Sequence, residues 1–473
     1  MSSTSEVDGL AGVAAAAARW AEDLPRARRA DLLEAMAAEL DADADAIVAD
    51  ADRETSLGEP RLRGELNRTA YQLRLFAEAV RDGGYLEATI DHAGDTPMGP
   101  RPDLRRLLVP LGPVAVFGAS NFPLAFSVPG GDTAAALAAG CPVVIKAHPA
   151  HPDTSRRCFD ALVRAAETAG APDGLLGLVF GQQAGVELIT HPAIKAAAFT
   201  GSPAGGRALG ALAANRPEPI PFYGELGSIN PVVVTGSAAA ERAAELGRGL
   251  AGSVLLGAGQ FCTKPGLVFL PDSEAGQRIA DGIAAEFLAR PQQPMLTPGI
   301  REAFERRADE LTVPELVRAP GGRLFSVSAG EFTERMADEC FGPSTVLVRY
   351  RDEADLRATL AKVPGSLTAT LHTGQSEEVG ELARELRERA GRVLFNGYPT
   401  GVAVSWAQHH GGPWPSTTSA LHTSVGMTAL RRFLRPVTWQ DAPEAVLPEE
   451  LHEVPADGAR VPRRVDGRWQ PRH

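Results

Sequence analysis

Short β-rich runs recur along one stretch of this chain, at Val114–Phe117, Pro142–Ile145, Leu176–Phe180 and Ala196–Phe199. Segments of helical texture lie between them, the clearest being the alanine-rich Asp132 to Ala139. Strands that alternate with helices are joined by crossovers, so the pattern predicts βα units around a parallel sheet, read here as a doubly wound nucleotide-binding domain. A second alternating block begins near Asn230–Val234 and continues through Gly266–Leu270, Ser344–Tyr350 and Leu367–His372.

Before the first block, apolar residues recur at three- and four-residue intervals from Leu10 to Asp52 and from Arg61 to Arg81, which predicts amphipathic helices. Trp20, Leu24, Leu32, Leu33, Met36 and Leu40 form their expected buried stripe. Gly94 to Asp103, with its Gly, Pro and Asp residues, reads as a loop or exposed hairpin. After Arg431 the chain is rich in Pro and charge with little periodicity, and from Ala456 partial disorder is expected.

At 473 residues the chain suggests two or three domains, and 44% apolar content supports large cores. The net charge of −12 argues against nucleic acid as the main partner, because phosphate binding relies on clustered Lys and Arg. The alanine run Ala14–Ala18 follows Glu6 and Asp8 rather than a basic leader, which does not fit a secretory signal. No segment approaches the ~18 uninterrupted apolar residues of a membrane span, so a cytoplasmic location is expected. Cysteines 141, 158, 262 and 340 show no CxxC pair and no clustered histidine. Neither a structural zinc site nor a disulfide framework is indicated, and no metal is expected.

Two features carry chemistry. Gly257-Ala258-Gly259-Gln260-Phe261-Cys262 sets a cysteine in a glycine-rich turn, and Gly224-Glu225-Leu226-Gly227-Ser228 frames a carboxylate. A thiol that can ionise and a carboxylate that can activate water suit covalent catalysis on a carbonyl. Alone, Cys262 reads first as a small buried hydrophobe, and Glu225 as a capping or pairing group at a domain junction. Around them stand Phe117-Gly118-Ala119-Ser120-Asn121-Phe122-Pro123, Lys146-Ala147-His148-Pro149, Phe199-Thr200-Gly201-Ser202, Glu339-Cys340-Phe341-Gly342-Pro343 and Phe395-Asn396-Gly397-Tyr398-Pro399.

In that order these motifs resemble the aldehyde dehydrogenase superfamily over nearly the whole chain. Gly131-Asp132-Thr133, Cys141 to Pro149 and His410-Gly411-Gly412-Pro413-Trp414-Pro415 look most like its 2,5-dioxovalerate (α-ketoglutarate semialdehyde) dehydrogenases. The resemblance implies that Cys262 attacks an aldehyde as thiolate, that Asn121 and the Cys262 backbone N–H receive the oxyanion, and that Glu225 activates water to hydrolyse the thioester. Asn121 also suits an Asx turn before Pro123, and both roles are compatible. Ser228 stands where many members carry glycine, and Ser120 where many carry tryptophan.

No GxGxxG follows a strand, so the ordinary dinucleotide fingerprint is absent. The resemblance instead assigns the pyrophosphate to a helix start at Gly201, Ser202 and Gly206, a setting whose exposed amides suit an anion. It assigns the adenosine ribose to Lys146 and the nicotinamide ribose to Glu339, with Phe341 beside it. His148 stands where many NAD-using members have glutamate. Loss of that carboxylate removes repulsion against a 2′-phosphate, so NADP or NAD is expected, with NADP favoured.

For the substrate, Phe122, Phe261 and Phe395 flank the catalytic motifs and form a candidate apolar funnel. Arg68 and Gln72 lie one helical turn apart on a helix that in family folds borders the substrate tunnel, which makes Arg68 a candidate anchor for a substrate carboxylate. The expected architecture is α/β, with a nucleotide domain (1–83 and 109–226), a catalytic domain (227–409) and an oligomerisation element with tail (84–108 and 430–473). The expected function is NAD(P)-dependent oxidation of 2,5-dioxovalerate to 2-oxoglutarate by a homodimer or homotetramer. The alternatives are a fatty or succinic semialdehyde dehydrogenase, and a non-catalytic binding protein with the same fold.

Overall fold

The computed structural model describes residues 1–470. Five parallel strands form the first sheet, in the order Leu176–Val179, Val143–Lys146, Val114–Phe117, Ala196–Thr200, Phe222–Glu225. The chain steps outward through the first three strands, then returns past Val114–Phe117 to add the last two on its other side. Strand order therefore reverses between Val114–Phe117 and Ala196–Thr200. In open α/β sheets a ligand crevice lies at such a reversal, outside the carboxyl ends of the strands. The loops leaving those two strands carry Asn121 and Gly201.

Helices Thr4–Asp23, Arg26–Ala42, Ala44–Thr55 and Glu59–Asp82 fill the amino-terminal region, as the periodicity predicts. Leu33, Met36, Leu40, Leu66 and Phe76 join helix Gly131–Ala139 and strand residues Val143 and Ile145 in one large core, while Trp20 and Leu24 are half-buried against it. No helix among the described residues is long and apolar enough to cross a membrane.

The second sheet has seven strands, in the order Glu315–Ala319, Gly322–Ser328, Ser344–Tyr350, Leu267–Pro271, Val232–Val234, Ser366–His372, Ala390–Phe395. All neighbours run parallel except the hairpin of the first two. Gly94–Thr96 and Gly99–Arg101 form the exposed hairpin expected near residue 94.

The carboxyl-terminal segment departs from expectation. Leu434–Gln440 pairs along its whole length with Leu104–Pro110, Arg463–Val465 runs beside Thr89–Asp91, and Arg468–Gln470 completes this five-stranded sheet. The tail through Gln470 is therefore ordered by strand pairing together with apolar anchors, since Leu447, Leu451 and Val461 are buried in the large amino-terminal core. Its alternation is masked because Pro436 and charged residues are tolerated on an edge strand. His92 fastens the tail through Asp466 at 2.7 Å and Glu453 at 3.0 Å.

Candidate active site

Glu225 ends the edge strand of the first sheet, in register with Thr200. Its outer side is covered by the segment from Ser416 to Thr418, since the Leu226 N–H donates to the Ser416 carbonyl and the Thr418 N–H to the Gly224 carbonyl. This edge contact buries the carboxylate, although Glu225 sits on an edge strand.

Cys262 follows helix Gly236–Leu255. Gly257, Ala258 and Gly259 take φ of 56°, 55° and 67°, three left-handed residues that reverse the chain. A Cβ on Gly259 would lie 2.2 Å from the Gly342 carbonyl oxygen, so glycine is required there. Asn230 fastens the loop: its Nδ2 donates to the carbonyls of Cys262 at 2.8 Å and Lys264 at 3.0 Å. Its Oδ1 accepts from Ser228 Oγ at 2.7 Å, and Ser228 Oγ in turn accepts the Leu367 N–H at 2.9 Å. Ser228, the departure from the family pattern, thus helps tie the Glu225 loop to the Cys262 loop. Removing the Asn230 amide would orphan buried carbonyls at about 1–3 kcal/mol each.

His410 stands between the two loops. Its Nε2 lies 3.5 Å from Cys262 Sγ and 3.0 Å from Glu225 Oε1, while Ser424 Oγ donates to Glu225 Oε2 at 2.7 Å. The His410 ring is 1% exposed, its N–H backbone donates to Thr423 Oγ1, and its Nδ1 has no protein partner. Sequence reading used His410 only as part of a family phrase. It is 148 residues from Cys262 and 185 from Glu225, so no spacing signalled it. A sequence clue was the pair of glycines behind it: a Cβ on Gly412 would meet the Ser366 carbonyl oxygen at 2.2 Å, which marks a tightly placed loop.

Burial pushes the Cys262 thiol well above its ordinary range, and the nearby Glu225 carboxylate adds to the effect. Burial also raises Glu225, but His410 together with hydrogen bonds from His410, Ser424 and Cys262 outweighs it and holds the carboxyl below its usual value. A protonated thiol beside an ionised carboxylate, with an imidazole touching both, can transfer the thiol proton internally when a carbonyl arrives.

Two cavities meet at Cys262. One of about 380 Å3 is lined by Asn121, Gly201, Ser202, Glu225, Glu339 and Phe341 among others. The other, about 220 Å3, is lined by Arg61, Glu65, Arg68, Phe122, Phe126 and Phe261 among others. Asn121 is buried and its Nδ2 donates to the Gln260 carbonyl at 3.0 Å, so one amide hydrogen is engaged beside the nucleophile loop. Gly206 is buried in the helix Pro203–Ala214, where a Cβ would meet Leu226 at 2.1 Å, so its role is close packing behind the Gly201–Ser202 turn.

Two substrate expectations are corrected. Phe395 ends the edge strand Ala390–Phe395, is 54% exposed and lines neither cavity. It is the exposed last residue of that edge strand, after four half-buried positions. Gln72 is buried against Gly131, where a Cβ would meet its Nε2 at 2.4 Å, and also lines neither cavity. The face that enters the smaller cavity is set by Arg61, Glu65 and Arg68 instead, and Arg61 was missed in the sequence. Arg68 stacks over Phe126 at 5.2 Å, and Arg61 lies over Phe122 and Phe261 at 5.1 and 5.0 Å. Both terminal nitrogens of Arg68 and Nη1 of Arg61 are buried without a hydrogen-bond partner. Glu65 lies close enough to act on both charges but makes no hydrogen bond to either, its Oε1 accepting the Leu124 and Ala125 N–H groups at 2.8 and 2.9 Å.

Residues 1–295 match the model of the aldehyde dehydrogenase family. The chain is 47% identical over 467 residues to α-ketoglutaric semialdehyde dehydrogenase 2 of Azospirillum brasilense, covering 94% of this chain and 88% of the relative. The chain belongs to the aldehyde dehydrogenase family. An α-ketoglutaric semialdehyde dehydrogenase of Acinetobacter baylyi is 40% identical, with 98% of this chain and 91% of the relative covered. The fold is also that of aldehyde dehydrogenase 21 from Physcomitrella patens, solved with succinate, at a TM-score of 0.78 and 19% identity over 93% and 91% of the two chains. As an aldehyde dehydrogenase, this protein oxidises an aldehyde with NAD(P) as hydride acceptor.

The residues present fit such a coenzyme. Thr200 Oγ1 is a buried polar atom without a partner, on the wall of the larger cavity. The helix Pro203–Ala214 starts at that wall, its first turn capped by Ser202 Oγ on the Gly205 N–H. At Gly227 a Cβ would come within 2.7 Å of Glu339 Oε2 and 2.9 Å of Pro203 Cγ, so glycine keeps this wall open. Burial raises Glu339 to about 7. Lys146 ends the neighbouring strand and His148 follows it, and the Gly118 N–H donates to the Lys146 carbonyl to join this end to the Asn121 loop. Burial lowers Lys146 and takes His148 down to about 3, so the imidazole is neutral.

Proposed function

We propose that this aldehyde dehydrogenase oxidises 2,5-dioxovalerate to 2-oxoglutarate. The observation that carries the reading is the set of buried guanidinium nitrogens without a hydrogen-bond partner, Arg68 Nη1 and Nη2 and Arg61 Nη1, in the cavity that opens on Cys262, while Arg61 Nη2 donates to the Asn121 carbonyl at 2.7 Å. A buried cation without a partner is costly, and a carboxylate at the far end of a short aldehyde satisfies it bidentately. The two relatives named α-ketoglutaric semialdehyde dehydrogenases support the same substrate.

In this reading Cys262 attacks the aldehyde carbon while its proton passes to His410 and Glu225, and the amide of Asn121 with the Cys262 N–H receives the oxyanion. Bound NAD(P) supplies the hydride acceptor; Gly201, Ser202, Lys146, Glu339 and Phe341 hold it. After the thiol proton has left to solvent, the Glu225 carboxylate takes a proton from the water that hydrolyses the thioester, with Ser424 and His410 fixing its orientation. Phe122 and Phe261 exclude bulk water from the aldehyde end.

NADP is the favoured coenzyme, because a neutral imidazole at His148 offers no negative charge to repel a 2′-phosphate. Residues 1–83 and 109–226 act as the nucleotide domain and 227–409 as the catalytic domain. Residues 84–108 and 430–473 act as the oligomerisation element and tail of a homodimer or homotetramer in the cytoplasm. Steady-state assays with 2,5-dioxovalerate, succinic semialdehyde and hexanal, each with NADP and NAD, test the substrate and coenzyme together. A wild type that prefers hexanal overturns the substrate reading.

A further inference from the structure

We propose that Cys262, His410 and Glu225 also form a reversible binding site for a borderline-soft divalent cation of the zinc type, which shuts the enzyme off by occupying its nucleophile and base. Sγ, Nε2 and the carboxylate oxygen come from two loops and the end of a strand yet all lie within 4.8 Å of one another. Zinc bonds of about 2.0–2.3 Å in a tetrahedron place ligand atoms about 3.3–3.7 Å apart. The observed separations are 3.5 Å from Sγ to Nε2 and 3.0 Å from Nε2 to Oε1. Small side-chain rotations therefore convert the hydrogen-bonded cluster into a coordination set.

The donor set selects the ion class. Thiolate and imidazole suit zinc and cobalt, whereas magnesium and calcium require oxygen ligands. Three protein ligands leave the fourth position to water or to a ligand in the cavities that reach Cys262. Ser424 Oγ already fixes the second oxygen of Glu225 at 2.7 Å, as an outer partner of a metal ligand does. His410 Nδ1 has no such protein partner, which limits affinity and makes the site a reversible one.

Binding forms Zn–S, Zn–N and Zn–O bonds and breaks the S–H bond of Cys262, whose proton goes to solvent. The imidazole binds through Nε2 and carries its hydrogen on Nδ1. No electron is transferred. With its sulfur lone pair engaged, Cys262 cannot attack an aldehyde, and Glu225 cannot accept a proton. The loss of turnover rests on the catalytic reading above, but metal binding itself does not.

The test uses the full-length protein, freed of metal with a chelator and exchanged into chelator-free buffer. Cobalt(II) alone is added and followed by near-ultraviolet absorption, where a thiolate–cobalt bond gives a charge-transfer band. One equivalent is expected to bind with that band, and zinc(II) is expected to displace it. Cys262→Ser should abolish the band, His410→Asn should weaken cobalt binding at least about tenfold, and Cys340→Ser should leave both unchanged. Zinc(II) should inhibit aldehyde oxidation, a chelator should restore it, and prior saturation with aldehyde should protect. Absence of the band in the wild type, or its persistence in Cys262→Ser, overturns the site. A band without any aldehyde oxidation upholds the metal site while refuting the catalytic reading; oxidation without the band does the reverse.

Discussion

His410 and Glu225 form a buried pair, Nε2 to Oε1 at 3.0 Å, and the same nitrogen lies 3.5 Å from Cys262 Sγ. One imidazole thus touches both the nucleophile and the base, so the thiol proton has a path that does not require water. His410→Asn is expected to lower kcat/KM about 10²- to 10⁴-fold, the range for a positioned acid–base group. It should also slow alkylation of Cys262 by iodoacetamide. An alkylation rate equal to that of the wild type would show that His410 only packs.

In the proposed mechanism Cys262 and Glu225 divide the reaction. Cys262→Ala should remove dehydrogenase activity, whereas Glu225→Gln should still reduce coenzyme once and then stall as thioester, since deacylation is the step that needs the base. Rapid mixing should show a burst of reduced coenzyme near one equivalent per site, followed by slow turnover. Wild-type steady-state turnover in Glu225→Gln would remove Glu225 from the mechanism.

Arg61 and Arg68 bring guanidinium nitrogens without a hydrogen-bond partner to the cavity proposed for the substrate. Each charge-assisted contact is worth about 1.5–3 kcal/mol, or about ten- to hundredfold in kcat/KM. Arg68→Ala and Arg61→Ala should therefore penalise 2,5-dioxovalerate by that factor and hexanal far less. Equal losses on both aldehydes would mean that the arginines are structural.

Glu339 supplies a pH dependence with a defined sign. Burial raises its carboxyl to about 7, so it is mostly neutral below that pH and mostly ionised above it. The ionised carboxylate accepts ribose hydroxyls more strongly. Coenzyme affinity, measured by fluorescence titration, should rise from about pH 6 to about pH 8 through this group. Glu339→Gln should flatten that rise; an unchanged slope would assign it elsewhere.

At residue 148 the expected coenzyme preference depends on the absence of a carboxylate. His148→Glu should shift the NADP to NAD ratio of kcat/KM toward NAD, by repelling the 2′-phosphate and gaining ribose hydrogen bonds. A wild type strongly selective for NAD would show that the neutral imidazole does not set the choice.

Local patterns determined much of this protein. Hydrophobic periodicity marked the amino-terminal helices and most strands of both large sheets, because period and β-branching are properties of neighbouring residues. The glycines around Cys262 and Glu225 were equally legible, since left-handed turns and close approaches restrict residue type locally. The strand Leu434–Gln440 was not, because its order comes from pairing with Leu104–Pro110 and not from its own alternation. Tertiary structure alone decided that Arg61 rather than Gln72 faces the substrate cavity and that Phe395 faces solvent, since both depend on how a helix or edge strand is rotated against its neighbours. It also decided that His410, far from both partners in sequence, completes the site. A 3.0 Å contact between a loop side chain and one at a distant strand end is a product of the whole packing, and no segment of the chain contains it.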